Sequence, residues 1–570
     1  MTDNITYVKI KENFPDSIID FHRNFGDATI TLKTDYLVDI CTFLKNDPDL
    51  DYNFMMDITA VDFPERDKRF DIVYHLYSLS KNHRIRLKVQ ESDQNQKVST
   101  ISGVWKAANW FEREVWDMYG INFKDHPNMK RILLYETFEG FPLRKDYPID
   151  KEQPIYDKDI DYSNMLSEGA LGELKSSQKK GDKDRSFFLH IGPSHPATHG
   201  TIHIVAEMEA ETIVKAAIDI GYLHRGFEKQ VEHSTYTQAI PYTDRLNYVS
   251  PLINNVGFVM TVEKIFNIKV TERCQFIRVI ISEISRITDH LTCIAASAME
   301  LGAFTVFFYF IKAREYFYKL QEDLCGARLT TNYTRVGGLS HDLPKNFDVE
   351  LKKCIHETKV AIEDVDKLLK RNRIFYDRTN DIGIISKEDA IEYAFTGPVL
   401  RSTGVDFDVR KQNPYLVYDQ FDFEVPLGTK GDNYDRYLVR MEEMRQSIRI
   451  IEQAMEKLPD GPVNIEDPRL SLPPKEEVYN QMEGMINHFK LIYEGIKPPP
   501  GEAYLPVEGA NGELGYYIVS NGSPKPYKCR VRPPCFALMQ GFHKMIEGYM
   551  MADVIATFGT INLIAGENDR

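Results

Sequence analysis

No two cysteines in this 570-residue chain are spaced C-x-x-C. The seven present (Cys41, Cys274, Cys293, Cys325, Cys354, Cys529 and Cys535) are odd in number and scattered, so they read as free thiols in a reducing compartment. That spacing argues against an iron–sulfur cluster held by this chain alone. The sequence also lacks G-x-x-x-x-G-K-[ST], G-x-G-x-x-G and H-E-x-x-H, so nothing in it is built for a nucleotide or a catalytic zinc. A surplus of positive charge is missing too. Seventy basic against 85 acidic residues leave a net charge of −15, which disfavours nucleic acid and direct docking on anionic lipid. The opening stretch "MTDNITYVKIKENFPDS" has no apolar segment, so neither a signal peptide nor an anchor is expected there. Only "LTCIAASAMELGAFTVFFYFI" (291–311) approaches bilayer length. Glu300 at its middle and Gly302 just beyond favour a break between two buried core helices. A carboxylate in such surroundings needs a partner or a proton.

What is present is core material, with 42% apolar and 12% aromatic residues, in a chain long enough for several domains. Residues 151–185 are densely and mixedly charged without a period of 2 or 3.6, and read as a linker or surface strap. They separate a unit at 1–150 from one at 186–570. The first is α+β. "RFDIVYHLYSLS" (69–80) and "RIRLKVQ" alternate as a hairpin, with Ile85, Leu87 and Val89 on one face. "WFEREVWDMYG" reads as a helix with Phe111, Val115, Trp116 and Tyr119 inward and Gly120 as its stop. The second unit is mainly α-helical, with strands at its start and near its end. "FFLHI" and "TIHIVAEM" form an opening hairpin, and helices dominate from 256 to about 375. "FIRVIISEISRITDHL" carries Ile277, Ile280, Ile281, Ile284, Ile287 and Leu291 at helical spacing. "YYIVSNGSPKPYKCRVR" is two strands around an Asn521-Gly522 turn.

"HIGPSHPATHG" (190–200) and His203 place four imidazoles within fourteen residues. His190 and His203 fall on strands and are expected to be structural, while His195 and His199 sit on the turn between them. A metal site fails for want of co-ligands. A proton-handling turn remains, since imidazole is the side chain most easily protonated near neutral pH.

Two sets of motifs then point the same way. "EREVWDMYGINFKDHPNMKRILLYETFEGFPLRKDYP" (112–148) resembles the signature of the 30 kDa-type subunit of respiratory complex I, the NADH–quinone oxidoreductase. "GPSHPATHG", "GYLHRGFEK", "PYTDRLNYVSP", "TRVGG", "DFDVRK" and "GELGYYIVSNG" resemble the 49 kDa-type subunit. Together, in this order, they are similar to the fused C/D subunits of some bacteria, over nearly the whole chain outside the linker.

The resemblance implies a second half like the large subunit of nickel–iron hydrogenases, with the metal cavity turned into a quinone pocket. It implies a terminal iron–sulfur cluster on a neighbouring subunit, and no metal or nucleotide on this chain. The chain would be a peripheral-arm subunit on the cytoplasmic side of the cell inner membrane. Its partners would be the cluster-bearing subunit and the membrane subunit at the quinone entrance. Reducing a quinone to a quinol adds two electrons and two protons, so the site needs donors aimed at the carbonyl oxygens. Imidazole and phenol suit, with ordinary pKa values of about 6.5 and 10. By resemblance, His199 and Tyr248 are the ligands of the quinone head; taken alone, Tyr248 reads as a core tyrosine rather than a ligand. Glu300 stands where the family has an aspartate that pairs with the turn histidine, one methylene longer; the alternative is a helix–helix hydrogen bond. His195, Arg225 and Arg245 join the cofactor-facing set, the two arginines near the cluster. For Arg225 the alternative is a salt bridge to Glu228.

In "CGARLTTNYTRVGG", Thr330 stands where many relatives carry a histidine near that cluster. Without that imidazole the cluster is expected at lower potential, which suits menaquinone. The first half has no reacting constellation, so its motif block is assigned to docking, and His126-Pro127 to a turn. The competing function is a non-catalytic assembly subunit of a hydrogenase-like membrane complex. A true hydrogenase is disfavoured by the cysteine spacing. The electron donor, NADH or ferredoxin, is not encoded in this chain.

Overall fold

In the first half the alternating segments become one mixed sheet. In the computed structural model, which describes residues 4–93, 98–154, 174 and 186–570, five strands are ordered β1-β2-β5-β4-β3. They are β1 (Ile18–Asn24), β2 (Asp27–Leu32), β3 (Phe54–Asp62), β4 (Phe70–Ser78) and β5 (His83–Glu91). Only β2 and β5 pair in parallel; the expected hairpin is β4–β5, with Ile72 opposite Val89 and Leu76 opposite Ile85. Helices α1 (Ile5–Asn13), α2 (Leu37–Asn46) and α3 (Ala108–Tyr119) complete this half. Gly120 ends α3 with φ +75°, and a Cβ there would sit 2.5 Å from the Phe141 ring, so glycine alone fits.

The alternation of β4 suggests one wet face, yet all nine of its residues are buried. The second half of the chain covers the polar face. Asp57, His75, Arg86 and Thr29 lie opposite one another across four strands. Asp57 meets Arg530 at 2.7 Å, His75 stacks on Tyr504 with centroids 4.7 Å apart, and Arg86 lies over the Tyr517 ring. The same cover corrects the expectation for α3. Glu112, Arg113, Glu114 and Asp117 are buried along with its apolar residues, whereas Trp116 is only half-buried. One hydrophobic core runs through both halves, with Phe111 against Phe536 at 5.1 Å.

The second half opens with an antiparallel sheet of β6 (Phe187–Ile191), β7 (His203–Glu209) and β8 (Thr212–Asp219). Of the proposed linker, Leu174 is buried against Val205 and Ala217 of this sheet; residues 155–173 and 175–185 lie outside the described residues. The body is helical: α4 (Pro251–Phe266), α5 (Glu272–Glu300), α6 (Phe304–Cys325), α7 (Phe347–Lys370), α8 (Asn433–Glu456), α9 (Met482–Tyr493) and α10 (Met551–Ile561). A second antiparallel sheet, β9 (Gly501–Glu508), β10 (Glu513–Ser520) and β11 (Lys528–Arg532), packs on α4. The α5 rod, about 44 Å long at 1.5 Å per residue, packs against α6, α8 and α10. All six apolar positions named for it are buried.

The long apolar run does break. Helix α5 ends at Glu300, Gly302 has φ +88°, and α6 starts at Phe304. Among the described residues no helix is long and apolar enough to cross a membrane. Burial of the second helix is only partial, however: Val306 and Phe310 are buried, but Phe304 and Phe308 are 58% and 66% exposed.

Candidate functional site

Tyr248 lies on the turn that leads into α4. Its ring is half-buried against Val249, Cys535, Leu563 and Ile564. Among the described residues its hydroxyl has no hydrogen-bond partner. Burial first, then the Cys535 thiol and Asp289, push the phenol above its ordinary value. Asp289 is fully buried on α5 and accepts from the amides of Asn247 (2.9 Å) and Asn562 (2.6 Å), so it pins the Tyr248 turn to the chain's last helices. Asn562 also donates to Asn511 at 2.6 Å, and the Cys535 N–H donates to Glu567. Burial pushes the Glu567 carboxyl up to about 7.

Arg225 and Arg245 are brought together beside this turn. Arg225 Nη2 donates to the Arg245 carbonyl at 2.8 Å and to the Gly566 carbonyl at 3.3 Å. Burial lowers the Arg225 pKa, and Tyr248 opposes that fall. The alternative bridge to Glu228 is not formed: Glu228 faces Lys528 and Arg530 instead. Arg245 is half-exposed and donates to Asp244 at 2.6 Å. The Arg225 guanidinium thus lies close to Tyr248 and is free of any ion pair among the described residues, whereas the Arg245 guanidinium turns to Asp244 and the Pro241 carbonyl.

Glu300 sits further along α5. Asp289, Cys293, Ser297 and Glu300 recur at spacings of four, four and three, which puts them on one helical face. Helix α10 packs on that face: the Cys293 thiol and the Ser297 hydroxyl both donate to the Gly559 carbonyl, at 3.7 and 2.7 Å. A Cβ at Gly559 would stand 2.8 Å from Glu300 Oε2, so the bare glycine makes room for the carboxylate. Oε2 is buried without a hydrogen bond, and burial raises the Glu300 pKa to about 7. Eleven residues of helix separate Asp289 from Glu300, about 16 Å. Among the described residues the carboxyl has no hydrogen-bond partner, so neither the histidine pair nor the alternative helix–helix bond is formed there.

The histidine turn divides as expected. His190 Nδ1 and His203 Nε2 are 2.9 Å apart, and His203 Nδ1 lies 3.0 Å from Asp219, a row across the three strands. His195 Nδ1 accepts from Ala197 N at 3.2 Å and caps the turn. His199 is exposed, in the left-handed region at φ +53°. No hydrogen bond or ion pair among the described residues joins His199 to Glu300, Tyr248 or the arginines. Thr330 is half-buried at φ +50° in the connection after α6, likewise without a bond to Arg225 or Arg245. Among the described residues no three His, Cys, Asp or Glu side chains gather as metal ligands. Sequence reasoning missed Asp289, Asn247, Asn562 and Glu567. For Asp289 a signal existed, a carboxylate inside an isoleucine-rich helix; the others become neighbours only through tertiary packing.

The class follows from comparison with known families. Residues 30–153 match the respiratory-chain NADH dehydrogenase 30 Kd subunit family, and residues 300–570 match the 49 Kd subunit family. A protein of Bdellovibrio bacteriovorus, named as a C/D subunit of NADH-quinone oxidoreductase, is 45% identical over 551 residues, 96% of both chains. A second C/D-type subunit, from Aquifex aeolicus, is 37% identical over 99% of both. A D-type subunit of Sorangium cellulosum is 55% identical over 383 residues, 67% of this chain and 95% of that protein. The chain belongs to the fused C/D family of NADH–quinone oxidoreductase (complex I) subunits, and so is one component of an oxidoreductase complex.

Proposed function

We propose that this chain lines the chamber where the complex reduces its quinone, on the peripheral arm beside a terminal iron–sulfur cluster held by a neighbouring subunit. The observation that carries the reading is the Tyr248 hydroxyl: a phenol half-buried against a small apolar cluster, with Arg225 beside it and no protein partner among the described residues. The ring is held by apolar neighbours while the hydroxyl has no protein partner among the described residues, so this donor is available to a ligand. Tyr248 donates toward one quinone oxygen and His199, also unbonded, toward the other. Two electrons and two protons complete the quinol. Glu300, at about 7, holds a proton in mildly acidic conditions and releases it near neutrality. His195 shapes the turn that carries His199.

Arg225 and Arg245 offer positive charge to an anionic cluster across the subunit boundary, and such charge raises a cluster's potential. Thr330 withholds a protonatable group there, which fits a low-potential quinone such as menaquinone. The exposed Phe304, Phe308 and Tyr309, just past Glu300, suit contact with the membrane subunit at the quinone entrance. Attachment to the inner membrane through that subunit, proton translocation, the hydrogenase-like ancestry of the second half, and activity only within the complex belong to the same proposal.

The competing proposal, an assembly subunit without a site of its own, is separated by substitution in the assembled complex. Tyr248→Phe and His199→Ala are each expected to cut quinone reduction about 100-fold while leaving assembly intact. Activity surviving both changes would turn the assignment to the scaffold.

A further inference from the structure

The polar row across the first sheet ends in a cavity of about 260 Å³ between the halves, lined by Arg23, Asp27, His75, Arg84, Arg86 and Tyr504 among others. Its donors are poorly used. Arg84 lies over the rings of Tyr77 and Tyr504, at 5.3 and 5.2 Å, and makes no hydrogen bond among the described residues. Its Nε and Nη2 are buried, and the one carboxylate paired with it among the described residues, Glu513, stands 4.0 Å away. His75 is 1% exposed. Its Nε2 accepts from Arg86 Nε at 3.0 Å, so in the neutral ring the proton is on Nδ1, and that N–H is buried without an acceptor. Burial, with Arg86 and Arg84 nearby, holds this imidazole well below its ordinary pKa. Arg23 adds an exposed guanidinium with no ion pair among the described residues.

The nearby carboxylates are already committed. Asp27 accepts from Lys264 (2.7 Å), Tyr504 N (2.8 Å) and Arg86 (3.2 Å). Glu502 accepts from Lys88 (2.6 Å) and Tyr517, with His22 and Arg86 also close to it. Glu513 accepts from the Tyr504 hydroxyl at 3.0 Å. Five fixed cations, Arg23, Arg84, Arg86, Lys88 and Lys264, therefore face three carboxylates. An excess of two positive charges, in a chain whose net charge is −15, surrounds N–H groups that lack acceptors.

We propose that this cavity binds a small phosphate-bearing anion that bridges the two halves of the chain. Guanidinium groups and a ring N–H match phosphate oxygens as charge-assisted donors. The volume admits inorganic phosphate or a small phosphate ester. Because the ligand would touch both the first sheet and Tyr504, it would tighten their docking. The proposal is independent of the quinone reading.

The test is equilibrium dialysis of labelled inorganic phosphate against the purified complex in 0.15 M sodium chloride (about 8 Å of screening length). Expected is saturable binding that Arg84→Gln weakens about 10- to 100-fold, the loss of one to two charge-assisted bonds. The surface change Arg23→Gln, which should leave folding intact, is expected to weaken it several-fold. Quinone reductase activity should be unchanged in both variants. Absence of saturable binding, equal binding by wild type and both variants, or succinate binding as tightly as phosphate would each overturn the proposal.

Discussion

Arg530, at the seam between the halves, meets Asp57, Glu114 and Glu228, and Arg570 adds a second guanidinium on Glu114. At the candidate site Tyr248 and Glu300 meet no partner among the described residues. The seam is buried and the site half-buried, and they treat polarity in opposite ways. Against the upward push of burial, Lys528, Arg530 and Arg570 hold the Glu228 carboxyl down at about 2, while burial alone carries Glu300 up to about 7. Charge at the seam is fixed by pairing. At the site it is left free to change, as proton transfer requires.

The largest expected effect breaks the first half of that contrast. Arg530→Ala leaves three buried carboxylates short of a counter-charge and should destabilise the chain by about 3–5 kcal/mol, read by denaturant unfolding; a change under about 1 kcal/mol would mean the seam is solvated. Next, Tyr248→Phe should lower quinone reductase kcat about 100-fold, within the range for a lost proton donor, with the complex still assembled. Thr330→His should raise the potential of the neighbouring cluster and make it fall with rising pH, in an EPR redox titration; an unmoved potential would detach Thr330 from the cluster.

The smallest effect concerns Glu300→Gln. A carboxyl whose folded pKa lies above its unfolded value binds more protons in the folded state, so wild-type stability declines as pH rises between about 4.5 and 7. The variant lacks that decline. Its Tm relative to wild type should therefore climb across this window, and a flat difference would show that the carboxylate finds water or a partner.

Much of the fold was readable because it rests on local period. The β4–β5 hairpin, the stop at Gly120, the isoleucine stripe of α5 and the break at Gly302 each follow from residues close in sequence. The second face of the first sheet was not readable, because Asp57, His75 and Arg86 look like ordinary solvated positions until the distant strands β9 and β11 cover them. The same limit applied at the site. Motifs marked Tyr248, Arg225 and Arg245, and the structure sets them side by side. The buried amide and carboxylate network around Asp289 spans residues 247 to 567 and has no local pattern. The outward face of α6 also escaped, since an aromatic run looks alike whether it faces a core or a partner.

The contact between Asp57 and Arg530 spans 473 positions of sequence. At about 5–20 residues per second of synthesis, the ribosome needs roughly 25 to 95 seconds to deliver the second partner after the first has emerged. Throughout that interval the polar row of the first sheet, and the apolar face of α3 meant for Phe536, have no cover. The seam that makes the finished protein one body is thus also the step that makes its birth slow, and it sets a waiting time during which a chaperone has something to hold.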